Sequence, residues 1–181
     1  MNIDFLELKE LFEISNEYFL KHNCYVIKSG VSERCLCGAL MQELSYNIRN
    51  SKYKNYHVDV EYNRNEDKIK TIVNNNLEVI PITCDIIVHS RGENIEQHNL
   101  IAIEMKKSWA SREEKNADKH RLIALTKDTF DDVWSYDGKA LPEHVCRYII
   151  GIYYEVNIKN RKVYTEFYSK GNLVDTSVSY F

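Results

Sequence analysis

The sequence predicts a single α/β domain, residues 1–181, in which helices flank a mixed sheet. Apolar residues recur at helical spacing near the N-terminus, two strongly apolar segments follow at 82–89 and 99–106, and a β-branched and aromatic segment covers 147–156. Hydrophobic residues make up 44% and charged residues 28% of the chain, a composition typical of a globular domain with one core.

Two helices are predicted before the first strand. Between about 4 and 21 the apolar residues recur every three or four positions. They are Leu8, Leu11, Phe12, Tyr18 and Phe19. A short extended piece is expected at 25–27. Ser32 is then a good N-cap for a second helix from about 33 to 49.

Glu33 lies in the first turn of this second helix, on the face that points inward. It is separated by 4, 3 and 4 positions from the apolar members of that face, Cys37, Leu40 and Leu44. An acid here either stabilises the helix dipole or belongs to a site on the sheet. The spacing leaves both interpretations open.

The rest of the chain alternates strands with one helix. The predicted elements are a half-buried strand at 57–62, buried strands at 82–89 and 99–106, a third helix at 112–127, and a C-terminal hairpin at about 147–168 with strands at 147–156 and 162–168. The polar stretch from 63 to 78 is interpreted as a hairpin loop or an irregular insertion.

Three charged residues interrupt the two apolar segments: Asp85, Glu104 and Lys106. A charge in a buried strand costs several kcal/mol unless something compensates it. Because side chains alternate along a strand, Glu104 and Lys106 share a face with Leu100 and Ala102. Two carboxylates would hold a hard divalent cation, and the lysine would address the attacking water. The alternative is that these charged residues lie at the ends of strands, where the strands reach solvent.

Composition excludes several classes of protein. No apolar run approaches the roughly 20 residues needed to cross a bilayer, and the N-terminus lacks a secretory signal, so a cytoplasmic protein without a membrane partner is expected. The five cysteines form an odd set in which Cys35 and Cys37 are too close for an ordinary disulfide, which favours reduced thiols.

The net charge of −3 argues against an extended basic surface of the kind that nucleic-acid-binding proteins carry. The bases that do cluster lie in the middle of the chain, at Lys106, Lys107, Lys115, Lys119 and Arg121. Binding to nucleic acid would then rely on a dimer, a partner or a short contact.

These segments together resemble the PD-(D/E)XK nuclease superfamily, which includes restriction endonucleases, resolvases and recombination nucleases, and within it a group of small microbial proteins. The resemblance covers about 31 to 126 and rests on Ser32-Glu33-Arg34, the segments 57–64 and 85–92, and Glu104-Met105-Lys106-Lys107-Ser108. Cys84 stands where the motif name has proline, at a position that contributes backbone only. The resemblance implies a restriction-endonuclease-like αβββαβ core.

It also implies roles for individual residues. Asp85 and Glu104 would bind Mg²⁺ or Mn²⁺, with the backbone carbonyl of Met105 as a further ligand. Lys106 would orient the attacking water or help to deprotonate it. Glu33 matches the acid that many members supply to the metal directly or through a water. Glu33, Asp85, Glu104 and Lys106 are therefore the expected catalytic residues.

The activity implied is hydrolysis of phosphodiester bonds by a metal-dependent endonuclease with DNA as its expected substrate. A role in phage defence or mobile-element biology, as a homodimer or in a larger defence complex, rests on analogy with the superfamily. One alternative is an inactive nuclease-like subunit that binds or regulates. Another is a metal-dependent RNase toxin, because nothing in the sequence identifies a contact to a 2′-hydroxyl group.

Candidate nucleic-acid contacts are Arg64, Lys107, Lys119 and Arg121. Arg64 either contacts phosphate or pairs with Glu61, and the two bases of the third helix either touch the backbone or form a solvated helix face. Trp109 is the aromatic residue nearest the expected site entrance. The many tyrosines of the strands are expected to pack the sheet.

Overall fold

A computed structural model describes residues 3–62, 83–93, 96–128 and 146–181, together with four short strand segments between 64 and 81. The helices are α1 (Ile3–His22), α2 (Cys24–Lys28), α3 (Glu33–Arg49) and α4 (Arg112–Thr126). The strands are β1 (His57–Val60), β2 (Arg64–Asn65), β3 (Lys68–Ile69), β4 (Thr71–Val73), β5 (Val79–Pro81), β6 (Ile86–His89), β7 (Asn99–Lys107), β8 (Ile150–Asn157), β9 (Lys162–Ser169) and β10 (Asn172–Tyr180).

A six-stranded mixed sheet in the order β1-β6-β7-β8-β9-β10 forms the centre of the fold. Strands β7 and β8 run parallel, and α4 lies between them in the chain, whereas the other neighbours in this sheet are antiparallel. The α/β class and the mixed sheet predicted from the sequence are confirmed. The short strands form separate antiparallel pairs, β2 with β3 and β4 with β5, and most of the expected loop at 63–78 lies outside the described residues.

Helices cover both faces of the sheet. The apolar faces of α1 and α3 pack with Ile101, Ile103 and Met105 in one core cluster. Ala102, between these residues in sequence, instead packs with Leu122 of α4 in a second cluster on the opposite face. This alternation is what a strand buried on both sides requires. The end of β7 therefore lies between helices that approach it from both faces.

Side-chain caps begin the two helices that flank β7. The Ser32 hydroxyl accepts a hydrogen bond from the Cys35 N–H at 3.2 Å. At the start of α4, Ser111 and Glu114 form a capping box, in which each side chain accepts a hydrogen bond from the other's backbone N–H. The helix boundaries predicted for α1, α3 and α4 are confirmed within one residue.

Some sequence predictions were wrong. The piece expected to be extended at 25–27 is helical, because it belongs to α2. Leu100 packs in the same cluster as Ile101, not on the face of Ala102, since it lies where the β6–β7 ladder has an irregularity. Strand β10 was not anticipated.

None of the helices in the described part of the chain has the length and apolar character that crossing a bilayer requires.

Candidate active site

Asp85 lies beside Glu104 of β7, although the strand predicted from residue 82 begins only at Ile86, so Asp85 directly precedes β6. Ile86 pairs with Ile103 across the β6–β7 ladder, and the next residue on each segment is Asp85 and Glu104 respectively. The Met105 N–H donates a hydrogen bond to Asp85 Oδ2 at 2.7 Å. Burial raises the pKa of Asp85, although this hydrogen bond and the Lys106 ammonium favour its charged form.

Glu104 is almost completely buried, with 2% of its surface exposed. Its Oε1 accepts a hydrogen bond from Arg121 Nε at 2.7 Å. Burial nevertheless raises the pKa of Glu104 from 4.5 to about 8, because the loss of water disfavours the carboxylate more than the guanidinium favours it. The charge of this group is therefore only partly compensated within the chain.

Lys106 connects acids from helices on both faces of the sheet. Its Nζ lies 3.5 Å from Glu33 Oε2 on α3 and 3.2 Å from Asp118 Oδ2 on α4. Burial would lower the pKa of Lys106, but the carboxylates of Asp118 and Glu33 outweigh it, so the pKa is raised. Lys106 is thus a cation at neutral pH.

Glu33 lies over the end of β7, because its carboxylate also accepts a hydrogen bond from the Lys107 N–H at 2.9 Å. Its position in the first turn of α3 suits the helix dipole as well. The two interpretations drawn from the sequence are therefore compatible, and the inward direction of the side chain brings Glu33 to Lys106.

Sequence reasoning did not identify Asp118 as part of this cluster. Asp118 is 3% exposed, and Arg121 Nη2 donates a hydrogen bond to its Oδ1. No donor among the described residues meets hydrogen-bond geometry at Oδ2, although Lys106 Nζ is in ionic contact with it. Burial raises the pKa of Asp118. The signal in the sequence was an acid on the same helical stripe as Leu122 and Leu125.

A cleft of about 460 Å³ opens beside these residues. Its lining includes Glu33, Asp85 and Glu61, together with Arg34, which pairs with Glu61 at 3.0 Å. Trp109 stands at its edge with 65% of its surface exposed. A larger cleft of about 640 Å³ lies between α1 and β10, but it contains none of the acids described above.

The bases expected to contact nucleic acid are mostly occupied within the chain. Lys107 is 8% exposed, and its Nζ donates hydrogen bonds to backbone carbonyls that precede α3. Lys119 Nζ lies 2.7 Å from Glu166, and Arg121 is paired with the two acids named above. The side chain of Arg64 lies outside the described residues. Lys119 and Arg121 thus form ion pairs within the chain, and Lys107 is held by backbone carbonyls.

The atoms around Asp85 that could bind a metal are carboxylate and carbonyl oxygens, which are the ligands that Mg²⁺ prefers. Within the described ranges, no three His, Cys, Asp or Glu side chains come together in an arrangement that could hold a metal ion. Mg²⁺ is often held by only one or two carboxylates, with waters and substrate phosphate completing its shell. Asp85, Glu104 and a backbone carbonyl meet that requirement, provided that Glu104 turns from Arg121.

The thiols near the site are structural. All five cysteines are free of disulfide bonds in the structure. Cys37 Sγ packs 3.7 Å from Met105 Sδ, and burial raises the pKa of this thiol strongly, so it remains protonated.

The chain was compared with protein-family models, curated proteins and solved structures. No protein-family model, no curated protein and no solved structure matches this chain.

Proposed function

We propose that the protein is a divalent-metal-dependent nuclease that hydrolyses phosphodiester bonds. The observation that carries this proposal is the placement of the half-buried carboxylate of Asp85 beside the buried carboxylate of Glu104, with a lysine cation at the same strand end. Both acids have raised pKa values because of burial, so their charged forms lack full compensation. A divalent cation would supply it.

The order of elements supports the same proposal. A helix, three strands, a second helix and a fourth strand follow one another as α3, β1, β6, β7, α4 and β8, once the short strand pairs are set aside. This is the αβββαβ order expected for a restriction-endonuclease-like core. Asp85 directly precedes its second strand, and the Glu-X-Lys segment lies on its third strand.

The metal would be Mg²⁺ or Mn²⁺, held by Asp85, Glu104 and the backbone carbonyl of Met105. When bound, such an ion neutralises charge on the scissile phosphate and activates water. Glu33 would reach this shell through a water or remain a partner of Lys106, which it contacts at 3.5 Å.

Lys106 has a distinct task. Because its pKa is raised, it remains protonated and cannot serve as the general base. It would instead donate hydrogen bonds that orient the attacking water, or that stabilise the negative charge developing on the phosphate. Glu33 and Asp118 hold its ammonium group at the strand end for that purpose.

The cleft provides the path for substrate. Asp85 and Glu33 form part of its wall, and Trp109 is exposed at its edge, where an aromatic ring can stack on a nucleic-acid base. DNA is the proposed substrate, with endonucleolytic cleavage in phage defence or mobile-element biology as the setting suggested by the family resemblance.

The test is a cleavage assay on labelled DNA and RNA, single-stranded and duplex, with Mg²⁺, Mn²⁺ or EDTA. The wild type should cleave with metal and not in EDTA. Asp85→Asn, Glu104→Gln and Lys106→Ala should each lose about a hundredfold or more in rate. Glu166→Gln is the matched control, because Glu166 is another buried acid on the sheet and pairs with Lys119, away from Asp85.

Cleavage that persists in EDTA, or that survives in Asp85→Asn, would contradict the proposal. Preference for RNA over DNA would leave the chemistry intact and change the substrate. Because Lys106 is not a proposed ligand, Lys106→Ala should keep its metal while losing turnover.

A second function, a catalytically inactive subunit that binds or regulates, is favoured by one observation. Glu104 is already held by Arg121, and Glu33 by Lys106 and the Lys107 N–H. Under this alternative the ion pairs are the final state of the cluster. Stable binding of nucleic acid with no cleavage under any metal would support it.

A further inference from the structure

One guanidinium group bridges the two most deeply buried acids of the cluster. Arg121 Nε donates to Glu104 Oε1 at 2.7 Å, and its Nη2 donates to Asp118. Glu104 belongs to β7, whereas Asp118 lies one turn before Arg121 on α4. The side chain therefore ties a helix to the strand that carries the proposed metal ligand.

Both acids need a positive charge, because water does not reach them. Glu104 is 2% exposed and Asp118 is 3% exposed. A buried carboxylate without a cation is strongly unfavourable. In the metal-free protein Arg121 meets this need for both acids, with Lys106 as a second cation for Asp118.

We propose that Arg121 is the internal counter-cation of this site, which holds Glu104 until a divalent metal ion displaces it. The inference rests on the proposed function and deepens it by naming what regulates metal binding. The guanidinium and the metal compete for the same carboxylate, so the metal binds only at the cost of the Arg121–Glu104 ion pair.

The geometry explains how Arg121 can release Glu104 without leaving the cluster. Its bond to Asp118 comes from a different nitrogen and spans three residues of the same helix, so it does not depend on the position of β7. The other oxygen of Asp118, Oδ2, is in ionic contact with Lys106 Nζ at 3.2 Å, so Oδ1 remains with Arg121. Asp118 can therefore keep Arg121 paired after Glu104 turns to the metal.

This competition predicts tighter metal binding when Arg121 is removed. Calorimetric titration with Mn²⁺ should show about tenfold or greater gain in affinity for Arg121→Ala, the change expected when one charge-assisted hydrogen bond no longer opposes binding. The loss of a neighbouring positive charge also strengthens proton binding to Glu104. Removing the positive charge of Arg121 favours a bound divalent ion about twice as much as a bound proton, because the Coulomb energy scales with charge. The Mn²⁺ affinity should therefore still rise.

Lys119→Ala is the matched control. It removes the same charge from the same helix, but Lys119 pairs with Glu166 instead of Glu104. Its Mn²⁺ affinity should stay within about twofold of the wild type. Arg121→Gln, which can still donate a hydrogen bond without a charge, serves if Arg121→Ala does not fold, and it should also bind Mn²⁺ more tightly.

A second readout follows Arg121 directly. In the wild type, Mg²⁺ should shift the NMR resonance of the Arg121 Nε–H, assigned by its absence in Arg121→Gln, because the bond to Glu104 is broken. Mn²⁺ affinity that is unchanged or weaker in both folded Arg121 variants, or an Nε–H resonance that ignores saturating Mg²⁺, would overturn the inference.

These outcomes are distinct from failure of the proposed function. If the wild type binds Mn²⁺ through Asp85 but the Arg121 variants bind no more tightly, only the inference is wrong. If neither the wild type nor the Arg121 variants bind Mn²⁺, both are wrong. Binding that appears only in the Arg121 variants would support the inference in its strongest form.

Discussion

Glu104 is the residue at which burial and charge conflict most directly. Its pKa is raised to about 8 in the folded protein, from 4.5 when it is exposed. Below pH 4.5 the group is protonated in both the folded and the unfolded states. Between these values the folded protein holds the proton more tightly, so its stability falls as pH rises, and above about pH 8 the loss is complete.

Glu104→Gln should remove this loss, because glutamine resembles the protonated acid at every pH. In urea denaturation with EDTA, the variant should gain stability relative to the wild type from pH 5 to pH 9. The gain should be about 1 kcal/mol or more, since a tenfold change in proton affinity corresponds to about 1.4 kcal/mol. Parallel stability curves for the two proteins would show that Glu104 titrates normally.

The sequence identified Glu33 from its helical spacing and the other site residues from their apolar surroundings. Asp85, Glu104 and Lys106 were found because a charge is unusual on a buried strand. Asp118 and Arg121 lie on a helix rich in charged residues, where such residues are ordinary. Their pairing with β7 depends on how α4 packs, which residue spacing alone does not specify.

Packing of α4 against the sheet is therefore an element-scale condition for the site. Ala102 and Gly151 are neighbours in the β7–β8 ladder, and both are small. A Cβ atom on Gly151 would lie 3.0 Å from Thr126 Cγ2 and 3.3 Å from Leu122 Cβ. The absence of a side chain at Gly151 thus permits the close approach of α4, which carries Asp118 and Arg121.

Gly151→Val should push α4 away from β8. We expect a loss of about 1–3 kcal/mol in the free energy of unfolding, typical of overpacking in a core. Urea denaturation would measure it. Gly38→Ala is the control, since a Cβ there would meet no atom within 4 Å outside its own helical turn, and the helical α3 position should gain about 0.5–1 kcal/mol. A Gly151→Val protein as stable as the wild type would show that α4 can shift without loss.

Most elements were predictable because their patterns are local. Helical spacing defined α1 and α4, Ser32 as N-cap marked the start of α3, and apolar segments defined β6 to β9 within a few residues. Strand β10 was missed because it is an exposed strand with mixed composition, and only its pairing with β9 gives it order. The helical turn α2 was missed because Tyr25, Val26 and Ile27 favour strands, and their place between two helices overrode that preference.

At the scale of the whole molecule, many basic side chains of the middle segment form ion pairs within the protein. The chain has a net charge of −3, and four basic residues of its middle segment, Lys106, Lys115, Lys119 and Arg121, pair with acids of β7, β8, β9 and the helices. The described cleft contributes Glu33, Glu61 and Asp85 against Arg34 and Lys107. A phosphate entering this cleft would be repelled unless a cation accompanied it.

Binding of nucleic acid should therefore depend on a divalent ion. With Ca²⁺, which takes the same oxygen donors as Mg²⁺, fluorescence anisotropy should show labelled oligonucleotide bound at least about tenfold more tightly than in EDTA. The physical reason is that the ion would cancel the negative charge of Asp85 and Glu104 and could itself bind a phosphate oxygen. Salt dependence should be shallow, because few lysines and arginines would contact phosphate.

Glu104→Gln provides the control for this effect, since it removes a proposed ligand and should reduce the difference between Ca²⁺ and EDTA. Tight binding that persists in EDTA and falls steeply with salt would contradict the prediction. It would mean that a basic surface, and not the acidic cleft, carries the affinity. A retained Ca²⁺ effect in Glu104→Gln would instead remove Glu104 from the ligand set and leave Asp85 as its main carboxylate.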